Sequence, residues 1–436
     1  MPLYDNECQS CGNIFEVIAK VEEDTLPCPK CGKPSKRIIL PIELEMYKEI
    51  VRVPELFREW VDQHIARWPE LFPSGIVQGY SLHSMYDSKK MPEITLRRIE
   101  LKENKDVYTV APSGVMPYMT GYTEDVEKAL FLLRFGVPYW ALTYAFGKND
   151  MYWFRQFCHF GRYHIVETTV KDLKKLPKDL LADEKHIYIN GEKAYIAMTV
   201  ANDCILGASI SLTADEDGLT EAYGHFQEEI LHVDPDYEPE TVNTDGWAAT
   251  QKAWLNLFPF IVVIQCFLHA FLRIRNCCQK RLKDIYPEIA QRVWSAYGAV
   301  NAAAFLSEII SLQKWAEEKL HDTGSALQSV LKLCAKADHF VLTFDYPNAY
   351  RTSNMIDRHI LPMDKWLFHR QSFHGHLLSA EKAVRTWSLF HSFWEYCPRA
   401  NVRKKFKSPA HKLNGFVYHE NWLHNLLIST SCAGAK

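Results

Sequence analysis

No stretch of this 436-residue chain is apolar for long enough to cross a bilayer. The apolar run from Phe260 to Ile264 gives way to Gln265 and His269, so it reads as a buried core strand. A basic and apolar leader is also missing. The chain goes straight into Met1-Pro2-Leu3-Tyr4-Asp5, which sets the expectation of a cytoplasmic protein. Excess charge is scarce too, with a formal net charge of −3. Bulk electrostatics therefore neither favours nor excludes nucleic acid, and any basic surface must be local. Nor is there a disulfide framework. Of 12 cysteines, the eight from Cys158 to Cys432 follow no regular spacing and read as buried thiols in a reducing compartment. What remains is ordinary globular material, 47% hydrophobic and 24% charged, long enough for two to four domains.

The other four cysteines make a module of residues 1–40. Cys8-Gln9-Ser10-Cys11-Gly12 is followed, after 16 intervening residues, by Cys28-Pro29-Lys30-Cys31-Gly32. Two such knuckles supply four thiolates at the spacing that tetrahedral Zn²⁺ needs, and the glycines allow each pair to turn towards the metal. So small a module has too little core to hold together alone, so structural zinc would supply its folding energy. It resembles the zinc ribbons at the start of small bacterial proteins beginning Met-Pro-Leu-Tyr, which bind DNA or protein.

Residues 41–120 read as short helices around Pro54 to Trp68, closed by Pro69 and Pro73, followed by a hairpin. EITLRRIEL and DVYTVAP flank the turn-like Lys102-Glu103-Asn104-Lys105. Residues 121–178 carry three helical patterns, about 124–135, 138–146 and 149–160, separated by Gly136-Val137-Pro138 and Gly147-Lys148-Asn149. Short helices joined by glycine turns suggest a helix-turn-helix. Its third helix would present Tyr152, Arg155, Gln156 and His159, with Arg162 beyond, a mixture suited to major-groove DNA readout. An ordinary three-helix packing unit with a wet face explains the same pattern. At the far end, residues 396–436 read as a basic tail. Arg399 to Lys412, including Arg403, Lys404 and Lys405, carries six Arg or Lys and no acid. Such a run is a solvated face or, beside an acidic metal site, a phosphate-binding one.

From residue 179 the period changes to two. LLADEKHIYI, KAYIAMTV and ILGASISL, joined at Asn190-Gly191 and Asn202-Asp203, give three consecutive strands. A helix from Asp217 to Ile230 leads into a short strand ending on Asp245-Gly246. A helix with Trp247 and Trp254 follows, then the strand ending at Ile264, then a helix opening on Cys266. The fold class is α/β, a mixed sheet whose first part spans 179–283, with a helical insertion over 284–345 and a last part over 346–395. In that insertion Trp294 and Trp315 read as core at helical spacing, with stacking on a flipped base as the other option. The final helical part follows Arg351-Thr352-Ser353-Asn354 and is interrupted at Pro362.

Phosphodiester chemistry on such a sheet needs carboxylates that converge from separate elements on divalent cations. Asp183 fits on the first strand, with its neighbour Glu184 pointing the other way, to the rim. Asp245 fits at the end of the fourth strand, and Asp357 in the first turn of a helix packed across the sheet. Singly, each has a plainer reading. Asp183 suits a turn, Asp245 a helix cap, and Asp357 a first-turn charge placed by the helix dipole.

Residues 180–395 resemble a DDE/D transposase with a ribonuclease-H-like catalytic domain, related to bacterial insertion-sequence and Mutator-type enzymes. The motifs that carry the likeness are Leu181-Ala182-Asp183-Glu184-Lys185-His186, Thr244-Asp245-Gly246-Trp247, Cys266-x-x-His269 and Arg351-Thr352-Ser353-Asn354-x-x-Asp357. The last signature usually ends in Glu, one methylene longer than Asp357, and Glu381 is the alternative third acid. The resemblance implies a catalytic role for Asp183, Asp245 and Asp357 as ligands of two Mg²⁺ or Mn²⁺ ions, with Cys266 and His269 beside them. It further implies a nucleoid-associated prokaryotic enzyme that cuts transposon-end DNA. The freed 3′-hydroxyl would join to target DNA, with the protein acting as a homodimer or higher assembly. No Ser or Tyr nucleophile is required.

Overall fold

The computed structural model describes residues 4–7, 14–17, 37–278, 282–320 and 324–433. The proposed zinc ligands Cys8, Cys11, Cys28 and Cys31 lie outside the described residues. β1 (Tyr4–Glu7) and β2 (Ile14–Val17) form an antiparallel pair. After β3 (Arg37–Leu40) come α1 (Leu44–Ile50) and α2 (Pro54–Arg67), then β4 (Tyr80–Asp87), β5 (Thr95–Leu101) and β6 (Val107–Pro112). Helix α2 opens on Pro54, where a missing N–H costs no helical bond. The expected hairpin is β5–β6. It is embedded in a mixed four-stranded sheet of order β3-β6-β5-β4, with β3 parallel to β6.

The three helical patterns that follow fold as α3 (Thr123–Leu133), α4 (Tyr139–Phe146) and α5 (Asp150–Cys158), and the short α6 (Ile165–Thr169) leads on. Asn149 caps α5 by accepting from Tyr152 N at 2.7 Å. The face that α5 turns inward carries Trp153 and Phe157, one turn apart, and Gln156 and His159 are buried beside them. Those two side chains are therefore corrected: buried in packing, they cannot read a groove. Gln156 Oε1 accepts from Thr120, and His159 meets Tyr163. Arg155 remains exposed, while Arg162 Nη1 donates to Tyr118 Oη at 3.1 Å.

The larger sheet contains β7 (Asp179–Ile189), β8 (Glu192–Ala201), β9 (Cys204–Ser211), β10 (Thr241–Thr244) and β11 (Val262–Gln265). Helices α7 (Glu216–Val233) and α8 (Ala248–Leu257) intervene, and α9 (Phe267–Cys278) follows. Its order is β11-β10-β7-β8-β9. The first three strands form an antiparallel meander, and β10 and β11 add parallel to β7. Both meander turns have positive φ at both corner residues, Asn190-Gly191 and Asn202-Asp203, the twist that tight hairpins prefer. The buried strand begins at Val262 rather than Phe260, which is 86% exposed.

Alternation along β7 divides the core. Leu180 and Ala182 face α7 and α8, packing with Tyr223, Phe226 and Trp254. Leu181 and Ile187 face the other way, into the largest core, with Trp366 and Trp387. Helices α10 (Tyr286–Tyr297), α11 (Ala302–Lys319), α12 (Gly324–Cys334) and α13 (Ala337–Val341) build a separate core with Phe267 and Phe271 of α9. Trp315 is buried in it, and Trp294 packs one side on Phe271.

The chain returns through α14 (Asn354–His369), α15 (Leu377–Phe393), α16 (Pro409–Asn414) and α17 (Trp422–Ser429). Pro362 does not interrupt α14 as expected; the helix runs through it. The segment read as a basic tail is also corrected, because every residue of α17 is buried. Beyond α17, Ser431 Oγ accepts from Ile39 N and donates to Ile39 O, both at 2.7 Å. Within that segment Lys404 and Lys405 are exposed, whereas Arg403 pairs with Glu395.

Helix α15 runs through the middle of the largest core and lies against the backbone of Gly161. A methyl group at that position would stand 2.1 Å from Lys382 O. Gly161→Ala is expected to lower stability by about 1–3 kcal/mol through overpacking, read as a shift in urea midpoint; an unchanged midpoint would show that the two segments separate freely. Among the described residues, no helix is long and apolar enough to cross a membrane.

Candidate functional site

The parallel register of β10 on β7 pairs Thr241 with Asp179 and Asn243 with Leu181. Carried two residues further, it sets Asp245 beside Asp183 at one rim of the sheet. The chain leaves β10 there through Gly246, whose φ of +92° suits glycine. Asp245 Oδ1 accepts from Trp247 N at 2.8 Å, an Asx turn ahead of α8, whose N-cap is Trp247 and not Asp245.

Asp183 shares its face of β7 with Leu181, and α14 crosses that face with Asp357 in its first turn. α9 adds His269. One ligand atom from each of Asp183, His269 and Asp357 lies within 4.8 Å of the others. Asp245 falls outside that tightest trio but close enough to act on Asp183 through its charge.

Burial, with the Asp245 charge second, pushes the Asp183 carboxyl up to about 6. Burial also raises Asp357, against the opposing pull of His269 and Ser353. Such acids are costly to hold ionised without a cation among them. The trio offers two carboxylates and one imidazole from three separate elements, with the Asp245 charge close by.

Ser353, named by the sequence only within the Arg351-Thr352-Ser353-Asn354 motif, proves to be the hub behind this site. Fully buried, it takes its N–H to Cys266 Sγ at 3.1 Å, while its Oγ lies 3.2 Å from that sulfur and 3.1 Å from His269 Nδ1. The Cys-x-x-His pair is thus fastened to the start of α14. The hydrogen bond to Cys266 first, then the charges of Cys266, Asp183 and Asp357, raise His269 to about 9, against burial. Burial would raise the Cys266 thiol, but bonds from His269 and Ser353 outweigh it and leave it below its ordinary value.

Glu184 points away from Asp183, as alternation requires, but not to the rim. It is buried, accepting from Tyr223 Oη at 2.8 Å and Thr250 Oγ1 at 2.7 Å, and burial pushes its carboxyl up to about 7. Glu381, the alternative third acid, lies on α15 with its carboxylate 3.4 Å from His225 Nδ1. His225 in turn bonds Ser209 of β9, two strands from β7, so Glu381 does not join the cluster.

Two recesses adjoin the site. A cavity of about 310 Å³ between the sheet and the helical insertion is lined by Asp245, Gln265, Arg273, Lys332 and Lys336, among others. The repulsion of Arg273 and burial hold the Lys336 ammonium below its ordinary value, burial being the larger influence. Arg273 stands one helical turn beyond His269, a spacing from which the sequence could have supplied it. A wider cleft of about 820 Å³ runs along β7 from Lys185 to Tyr188 against α14.

A family model described as a zinc ribbon domain matches residues 1–39, in keeping with the four-cysteine reading of that module. No transposase family model matches. No curated protein matches the chain.

Proposed function

We propose that the chain is a DNA transposase of the DDE/D type, which cuts phosphodiester bonds at the ends of an insertion sequence and joins them to target DNA. The observation that carries this reading is the meeting of Asp183, Asp357 and His269, with Asp245 alongside, at one rim of the sheet. The strand order supports it as well: a three-stranded meander extended by two parallel strands on its first strand is the ribonuclease-H-like arrangement the sequence resembles. Bound among the carboxylates, Mg²⁺ or Mn²⁺ would stabilise charge developing on the phosphodiester oxygens.

The chain's own groups have separable tasks. Asp183, Asp245 and Asp357 supply negative charge at fixed positions. Ser353 holds His269 and Cys266 in register with α14, so that the third acid and the histidine move as one unit. Arg273, Lys332 and Lys336 put positive charge beside the acids, where a DNA backbone must lie. The zinc ribbon and exposed Arg155, Lys404 and Lys405 offer further contacts to DNA. Two copies on paired ends would be the working assembly.

The test is incubation of the full chain with duplexes carrying the DNA that flanks its coding region. Mg²⁺-dependent nicking at a fixed position, followed by joining to a target duplex, is expected. Nicking without joining would make the protein a nuclease. Binding without any nicking would make it a non-catalytic regulator descended from a transposase, a reading that the shorter Asp357 favours. The double variant Arg273→Glu/Lys336→Glu is expected to nick about tenfold or more slowly, with an unchanged melting temperature, through loss of backbone attraction. Equal rates would remove the cavity from the DNA path.

A further inference from the structure

Where α6 meets the end of α7, well apart from the carboxylates in the chain's architecture, three metal-binding side chains come together. His164 immediately precedes α6, Glu167 lies in its first turn, and His232 stands in the last turn of α7. One ligand atom from each lies within 4.8 Å of the other two. His164 Nδ1 faces Glu167 Oε2 at 3.6 Å, beyond hydrogen-bonding distance, and that nitrogen is buried without a hydrogen-bond partner among the described residues. Two ligands each about 2.0–2.1 Å from a tetrahedral ion stand roughly 3.4 Å apart, so 3.6 Å is close to a coordination edge. The rings of His164 and His232 meet nearly perpendicular, their centroids 5.3 Å apart.

The backbones that carry these ligands are already fastened together. Glu229, one turn before His232 on α7, accepts from Ile165 N and Val166 N at the start of α6. The ligands are therefore brought close without help from an ion, and binding has little ordering cost to overcome.

We propose that His164, Glu167 and His232 bind a divalent transition-metal cation, Zn²⁺ by preference. Two imidazoles and one carboxylate suit zinc better than Mg²⁺, and three protein ligands leave the fourth tetrahedral position to water or a small anion. The bound ion clamps the segment that enters β7 to the helix lying across the back of the sheet.

The experiment uses the full chain with Cys8→Ser/Cys11→Ser, which removes the ribbon's zinc, with and without His232→Ala. His232 is exposed, so its replacement gives up little packing beyond the ring contact with His164. After zinc loading and desalting, the version with His232 should hold one more equivalent of metal than the version without it. Zinc should raise the melting temperature of the first by more than that of the second. Any zinc taken up by the acidic cluster is common to both and cancels. Equal metal content in the two would overturn the proposal. So would a Co²⁺ spectrum with thiolate charge-transfer bands for the His232-dependent ion, because that ion would then sit on cysteine.

Discussion

Asp183→Asn is expected to reduce metal-dependent DNA cleavage by about a thousandfold or more, to the level of the metal-free reaction. The loss follows from position. Asp183 is the acid that every other member of the cluster faces, with Asp245 on the next strand and His269 and Asp357 arriving from α9 and α14. The same substitution should stabilise the metal-free protein. A carboxyl raised to about 6 in the fold from an ordinary value near 3.8 costs stability as pH rises through that interval, and the cost is fully present at pH 7. The amide carries no such penalty. At pH 7 without metal the variant should melt higher than the parent, while Mg²⁺ should raise the parent and leave the variant unmoved. Retained cleavage, or a melting temperature lowered at pH 7, would remove Asp183 from the centre of the site.

Arg385→Met should cost about 3–5 kcal/mol, the penalty for leaving a buried carboxylate without its partner. Arg385 is 2% exposed and donates to Gly161 O and Tyr163 O, each at 2.9 Å, and to Glu229. Glu229 is the group that anchors the start of α6, so one guanidinium joins α15, α5's outlet and α7. Replacing Glu229 by Met as well should recover part of the loss, because no lone charge then stays inside. Urea unfolding of the two variants measures both effects. A single-variant loss below about 1 kcal/mol would mean that water reaches the pair.

Local pattern carried much of the fold. The meander was legible because its strands alternate and its turns are Asn-Gly and Asn-Asp, and the helices because glycines and prolines punctuate them. Asp245 was legible as a strand-end acid for the same reason. Facing was harder. The α5 sequence announces a helix but not that α15 would cover its Phe157 side, since that partner lies over two hundred residues away. Glu184 was placed at the rim because alternation gives direction but not depth, and Tyr223 and Thr250 come from elements later in the chain. Lys336 is illegible for a related reason, because it follows α12 and only folding of the insertion sets it beside Asp245.

The paired hydrogen bonds between Ser431 and Ile39 have a consequence for biosynthesis. A polypeptide emerging from the ribosome ordinarily completes its earliest units first. Here β3 lacks its lid until the segment after α17 arrives, a separation of 392 residues. Closing so long a loop late and at entropic cost makes the early sheet wait. A chain halted upstream of Trp422 would leave that surface bare, so the interior around β3 closes only once α17 has been made.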